Sequence, residues 1–117
     1  SHMDFEVDRD ASQPSLVEMS RWAVQRLQRH AEGFVLVVEA GRIDHGHHAN
    51  NAWRALHETL ELSRAVEAVR AEVEAEQTLM VVTADHSHPF TMAGYATRGT
   101  PILGKVGRHR RAGRAGA

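Results

Sequence analysis

Two short segments of this chain concentrate the groups that bind divalent metal ions. Glu39-Ala40-Gly41-Arg42-Ile43-Asp44-His45-Gly46-His47-His48 and Asp85-His86-Ser87-His88 together hold three carboxylates and five imidazoles. Neutral imidazole nitrogen and carboxylate oxygen bind zinc at about 2.0–2.2 Å, and an oxygen-rich position suits magnesium. Asp44 and His48 stand four residues apart, so one helical turn sets both toward a single ion. Asp85 and His86 are adjacent, and adjacent side chains converge in a loop but not in a strand. Glu39 is an acid at the end of an apolar run, where burial without a cation would be costly. His88 is of the type that holds a ligating carboxylate in place.

The elements that must position these groups read as α-β-α-β, an α/β class. Residues 15–30 predict a helix: Ser15 and Glu18 form the S-x-x-E capping box, and Gly33 stands where a helix-ending glycine belongs. Its apolar side is read from Leu16, Val17, Trp22, Ala23, Val24 and Leu27. Residues 34–38, Phe-Val-Leu-Val-Val, are an unbroken apolar run suited to a strand covered on both faces of a parallel sheet. A second helix is predicted over residues 48–76, with Leu56, Leu60, Val66, Val69 and Val73 at helical spacing. Residues 78–83 repeat the buried-strand pattern, and residues 90–92 and 95–97 flank Ala93-Gly94 as a C-terminal hairpin. Each ligand-rich segment begins where a predicted strand stops. Parallel neighbours would deliver both to the carboxyl edge of the sheet, where open α/β sheets bind their ligands.

Composition bounds what else the chain can be. Its 117 residues fit one globular unit with a thin core. The absence of cysteine excludes disulfides, thiolate metal sites and cysteine nucleophiles. No apolar run is long enough to span a membrane, and no basic start followed by an apolar stretch marks a signal peptide. Nine histidines are present, six of them between His45 and His88. The net charge of −1 hides a division: residues 105–117 carry five basic side chains and no acid, so residues 1–104 hold −6. The chain therefore reads as an acidic, histidine-rich body (1–104) with a basic Gly/Ala/Arg tail (105–117) expected to be disordered.

Blander roles fit other residues better. His57-Glu58 lacks the second histidine of H-E-x-x-H and reads as a solvated helix face. His30 and His109 read as surface residues, and Arg42 as an ion-pair or loop cation. The tail has no aromatic interleaving, so nucleic acid is not the expected partner.

Val38-Glu39-Ala40-Gly41-Arg42-Ile43-Asp44-His45-Gly46-His47-His48 resembles the V-E-G-G-R-I-D-H-G-H-H segment of alkaline phosphatases. Val82-Thr83-Ala84-Asp85-His86-Ser87-His88 resembles their V-T-A-D-H-S-H segment. Order and separation match, as does Gly94-Tyr95 followed by Arg98-Gly99, and the pattern can be followed over residues 3–104. The H-G-H-H form is that of the animal-type branch and its bacterial relatives, and argues against phosphodiesterases or mutases of the wider superfamily. The resemblance implies a piece of a three-layer αβα sandwich that hydrolyses phosphate monoesters through a phosphoserine. It implies Asp44 and His48 as ligands of one zinc, Asp85 and His86 of a second, and Glu39 of a magnesium ion. His88 would orient the Asp44 carboxylate, and His45 would lie near the phosphate. It further implies a homodimer in the complete enzyme and a periplasmic or extracellular location.

Three departures shape the expectation for this polypeptide. Ala40 replaces a glycine beside the magnesium ligand. The nucleophilic serine of the family follows an aspartate in a D-S-A-like motif, and no such motif occurs here; Asp10-Ala11-Ser12 has the wrong order. The phosphate-binding arginine and the last zinc histidine, in a downstream T-H-G-like segment, are also missing, and after Lys105-Val106 the pattern gives way to Arg, Gly and Ala. The expected activity is phosphomonoester hydrolysis by the complete enzyme, with this chain supplying metal ligands and inactive alone. The alternative is a truncated, non-catalytic zinc-binding remnant.

Overall fold

The computed structural model describes residues 2–91 and 98–103. The hairpin expected around Ala93-Gly94 and the basic tail lie outside these residues. Three helices organise the described part: α1 (Leu16–Leu27), α2 (Arg42–His48) and α3 (Ala52–Glu72). Both α1 and α2 pack on α3.

Helix α1 starts as its sequence dictates. The Ser15 hydroxyl accepts the Glu18 amide at 3.1 Å while the Ser15 amide donates to the Glu18 carboxylate at 2.7 Å. The capping box thus satisfies two amides that a helix start leaves without partners. The helix ends at Leu27, three residues short of the predicted end. Gly33 closes the following turn rather than the helix, at φ +81° with its amide donating to the His30 carbonyl at 3.2 Å.

The second predicted helix, residues 48–76, is realised as α3 over Ala52–Glu72, and a separate short helix, α2, precedes it. The break falls at Asn50, in the left-handed region at φ 50°, and Asn51, whose side chain accepts the Arg54 amide at 3.1 Å as the N-cap of α3. Asparagine suits both tasks, because its short side chain tolerates the left-handed backbone and caps helices. The break puts His48 at the end of α2 instead of the start of a long helix.

The buried face of α3 also differs from the expected stripe. Ala55, Glu58, Glu61 and Ala65 are buried, whereas Leu60 is half exposed. On α1 the buried residues are Ser20 and Val24, and Trp22 is 70% exposed. Two carboxylates enter the buried face because backbone amides from other elements meet them. Glu58 accepts the Glu6 amide at 2.6 Å, and Glu61 accepts the Val17 amide at 3.3 Å. The solvated face expected for His57-Glu58 is therefore corrected for Glu58. His57 keeps to the surface, its Nδ1 donating to the Trp53 carbonyl at 2.8 Å.

Residues 34–38 and 78–83 adopt no regular secondary structure, and no ladder pairs them among the described residues. A strand is held by the amides and carbonyls of a neighbour, and without that neighbour an apolar run forms no strand. Cover reaches only one side. Phe34 and Leu36 are half-buried, while Val35 is 90% exposed; Leu79, between the half-buried Thr78 and Met80, is 89% exposed. The expectation of strands covered on both faces is thus not met in the described part.

Candidate metal centre

Helix α2 presents Asp44 and His48 on one face, and Gly46 between them makes the contact with α3. A Cβ built on Gly46 would lie 2.8 Å from the Ala55 amide nitrogen and 3.0 Å from its Cα. Only glycine lets the two helix backbones come this close. The segment that follows residues 78–83 then lays His86 and His88 against the same carboxylate.

Asp44 is the hub. His88 Nε2 donates to its Oδ1 at 2.5 Å, and His48 Nε2 lies 3.4 Å from its Oδ2. His86 Nε2 stands 3.6 Å from Asp44 Oδ1 and 3.3 Å from Asp85 Oδ2. The hydrogen bond from His88 holds the Asp44 carboxyl below the usual carboxylate range, with smaller contributions from the three neighbouring imidazoles. Around this hub the rings of His47 and His88 stack at 4.8 Å, and His47 meets Phe90 edge-on at 5.7 Å. His47 is itself tied back to its helix, Nδ1 donating to the Ile43 carbonyl at 2.7 Å.

The donor spacing fits metal ions. Two ligand atoms each about 2.0–2.2 Å from a tetrahedral ion lie about 3.3–3.6 Å apart. The Asp44–His48 and Asp85–His86 pairs, at 3.4 and 3.3 Å, match that span. Asp44, His48 and His88 each offer an atom within 4.8 Å of the others. The tautomer of His86 points the same way. Its Nδ1 lies 3.1 Å from the Ser87 carbonyl, so a neutral ring carries its proton there. In that tautomer the Nε2 lone pair faces oxygens of Asp44 and Asp85, a set of donors that could hold a cation between them.

The structure therefore brings Asp44, His48, His86 and His88 together, and attaches Asp85 through His86. Glu39 is not in this group; it is exposed, and its carboxylate lies 3.3 Å from the Cβ position of Gly41. His45 makes other contacts: its Nδ1 accepts from Arg42 at 3.3 Å and its ring meets His2 at 4.6 Å. Arg42 itself lies over Phe5 at 3.9 Å, a cation–π contact rather than the ion-pair or solvated-loop role expected from sequence. The signal for that contact was faint, since Phe5 is the one aromatic in a polar stretch 37 residues away.

Comparison with known proteins supplies the family. The chain matches the alkaline phosphatase family model over residues 1–114, a span that reaches into the basic tail. It is 52% identical over 103 residues to the tissue-nonspecific alkaline phosphatase of Gallus gallus, covering 87% of this chain and 20% of that protein. It is 50% identical over 103 residues to the Homo sapiens isozyme of the same name, with the same shares covered. Alkaline phosphatase 4 of Drosophila melanogaster is 48% identical over 111 residues, covering 93% of this chain and 19% of the relative. The chain thus spans about a fifth of the length of the curated relatives it matches. No solved structure matches the chain. With its histidine- and aspartate-rich segments inside the matched span, this chain belongs to the alkaline phosphatase family.

Proposed function

We propose that this chain supplies the metal-binding part of an enzyme that hydrolyses phosphate monoesters. The observation that carries the reading is the division of labour on Asp44, with Oδ1 engaged by His88 and Oδ2 left facing His48. A carboxylate so held presents one oxygen in a fixed direction, which is what a ligand must do. In this reading Asp44 and His48 hold one zinc ion, Asp85 and His86 a second, and Glu39 a magnesium ion. Two divalent ions at such a centre supply Lewis-acid charge to the attacking and leaving oxygens of an in-line displacement. Phosphate monoesters are the substrates, and the complete enzyme is a homodimer outside the cytoplasm.

The chain's own residues orient and charge the site. His88 fixes Asp44, α2 carries His48 on the same face, and Gly46 seats that helix on α3. The relatives are alkaline phosphatases along about five times this length, and the D-S-A-like nucleophile motif does not occur in these residues. The chemical step therefore needs a serine that this stretch does not contain.

Zinc binding and turnover test the reading together. Equilibrium dialysis of the purified chain should find two zinc ions, one lost in Asp44→Asn and the other in His86→Ala. Hydrolysis of p-nitrophenyl phosphate should stay at the level of buffer. Absence of zinc binding would overturn the metal assignment. Turnover that disappears in Asp44→Asn would overturn the assignment of the nucleophile to another segment.

A further inference from the structure

Arg42, the first residue of α2, joins three parts of the molecule. Its guanidinium lies 3.9 Å from the centre of the Phe5 ring, and Arg54 lies over the same ring at 4.4 Å. Phe5 is buried, and the residues just after it are fastened to α3 at two points. The Glu6 amide donates to Glu58 at 2.6 Å, and Arg54 pairs with Asp8 at 2.7 Å. Arg42 is thus stacked on a fixed platform, with its Nη1 3.3 Å from His45 Nδ1.

That contact has one chemical meaning. A guanidinium only donates, so the nitrogen it meets must be the unprotonated one. We propose that Arg42 is a positioning residue that holds His45 as the neutral Nε2–H tautomer, leaving Nε2–H as the ring's single hydrogen-bond donor. The complementary group is an anionic oxygen such as that of a phosphate, which accepts from a fixed donor without waiting for the ring to reorient. His47, two residues on, is set the opposite way: its Nδ1 donates to the Ile43 carbonyl at 2.7 Å, so its Nε2 keeps a lone pair. Neighbouring histidines of one short helix are therefore assigned opposite tautomers by different partners. Only the identity of the oxygen ligand rests on the phosphatase reading; the tautomer does not.

Ring nitrogen NMR of the 15N-histidine-labelled chain tests this directly. With the ring neutral, the His45 Nδ1 resonance should sit at the unprotonated limit. In Arg42→Met, which keeps an apolar stem over Phe5 but has no donor, it should move toward the protonated value as both tautomers become populated. Arg54→Met removes the other guanidinium from the same ring and should leave His45 unchanged. A wild-type His45 that is protonated on Nδ1, or averaged between tautomers, overturns the proposal whatever the variants do. An equal shift in Arg54→Met also overturns it, because packing on Phe5 would then account for the effect. Zinc stoichiometry in the same samples reads the phosphatase assignment separately.

Discussion

Gly46→Ala adds a single methyl group where α2 meets α3, and its effect can be worked from the packing. The new Cβ would stand 2.8 Å from the Ala55 nitrogen, whereas ordinary contact begins near 3.4 Å. The helices must therefore separate by roughly 0.6 Å at this point. The backbone there has little freedom to yield, since the Gly46 carbonyl accepts the Asn51 amide at 2.9 Å and the Asn51 carbonyl accepts the Ala55 amide at 3.0 Å. Two terms oppose each other. Alanine in a helix gains about 1 kcal/mol over glycine, while overpacking a close contact costs about 1–3 kcal/mol. Steric cost should win, for a net loss of about 1–2 kcal/mol in urea unfolding. The site should respond differently within α2 and across it. Asp44 and His48 ride on the same helix and keep their spacing, whereas the Asp44–His88 contact joins separate segments and is the one displaced. Zinc affinity, read by competition with a chromophoric chelator, should fall by about tenfold, the lower end of the loss for a disturbed supporting hydrogen bond. A Gly46→Ala variant as stable as the parent, with unchanged zinc affinity, would show that helix propensity decides here and would refute the close-packing argument.

Other expectations follow from single contacts. His88→Asn should weaken zinc binding by about 10–100-fold, and Asp44→Asn should abolish the ion shared with His48, both read by the same competition. Ser15→Ala should cost about 1 kcal/mol in urea unfolding by removing the cap of α1, with zinc affinity unchanged because α1 carries none of the ligands. Glu58→Gln should stabilise the protein near neutral pH. Burial raises the Glu58 carboxyl above its ordinary 4.5 and outweighs the bond from the Glu6 amide, so the ionised form is the costly one in the folded state. That cost is full above the folded pKa and gone below the unfolded one, so the gain of the glutamine variant should close as pH falls to about 4.5. A gain independent of pH in thermal melts at several pH values would refute the desolvation argument.

What the sequence made legible is what depends on near neighbours. Ser15 and Glu18 form their capping box within one turn, so the start of α1 could be read directly. The pairing of Asp44 with His48 is likewise an i, i+4 relation that any helix across them enforces. The cap at Asn51 was equally local, yet the apolar spacing used to read α3 begins only at Leu56 and does not fix where the helix starts. Burial on α3 was not legible, because it depends on distant partners. Glu58 is drawn into the core by an amide 52 residues away, and no periodicity records that. Leu60 and Trp22 kept the expected spacing but face sides of their helices that the described residues do not cover.

The two apolar runs show the same division from the other side. Val35 and Leu79 belong to segments whose composition is that of strands in a sheet interior, and full burial of such a side chain is worth about 1.5–3 kcal/mol. That composition records the cover the sequence is suited to, while the ladder itself needs the amides and carbonyls of another segment. Composition can therefore be correct about environment and still overstate local structure. The ligand groups escape this difficulty. Asp44 and His48 are carried by a short helix seated on α3 through Gly46, and His86 and His88 reach them from a loop. Their convergence depends on a helix contact and a hydrogen bond to one carboxylate, so it persists where the apolar segments leading into it find no partner strand among the described residues.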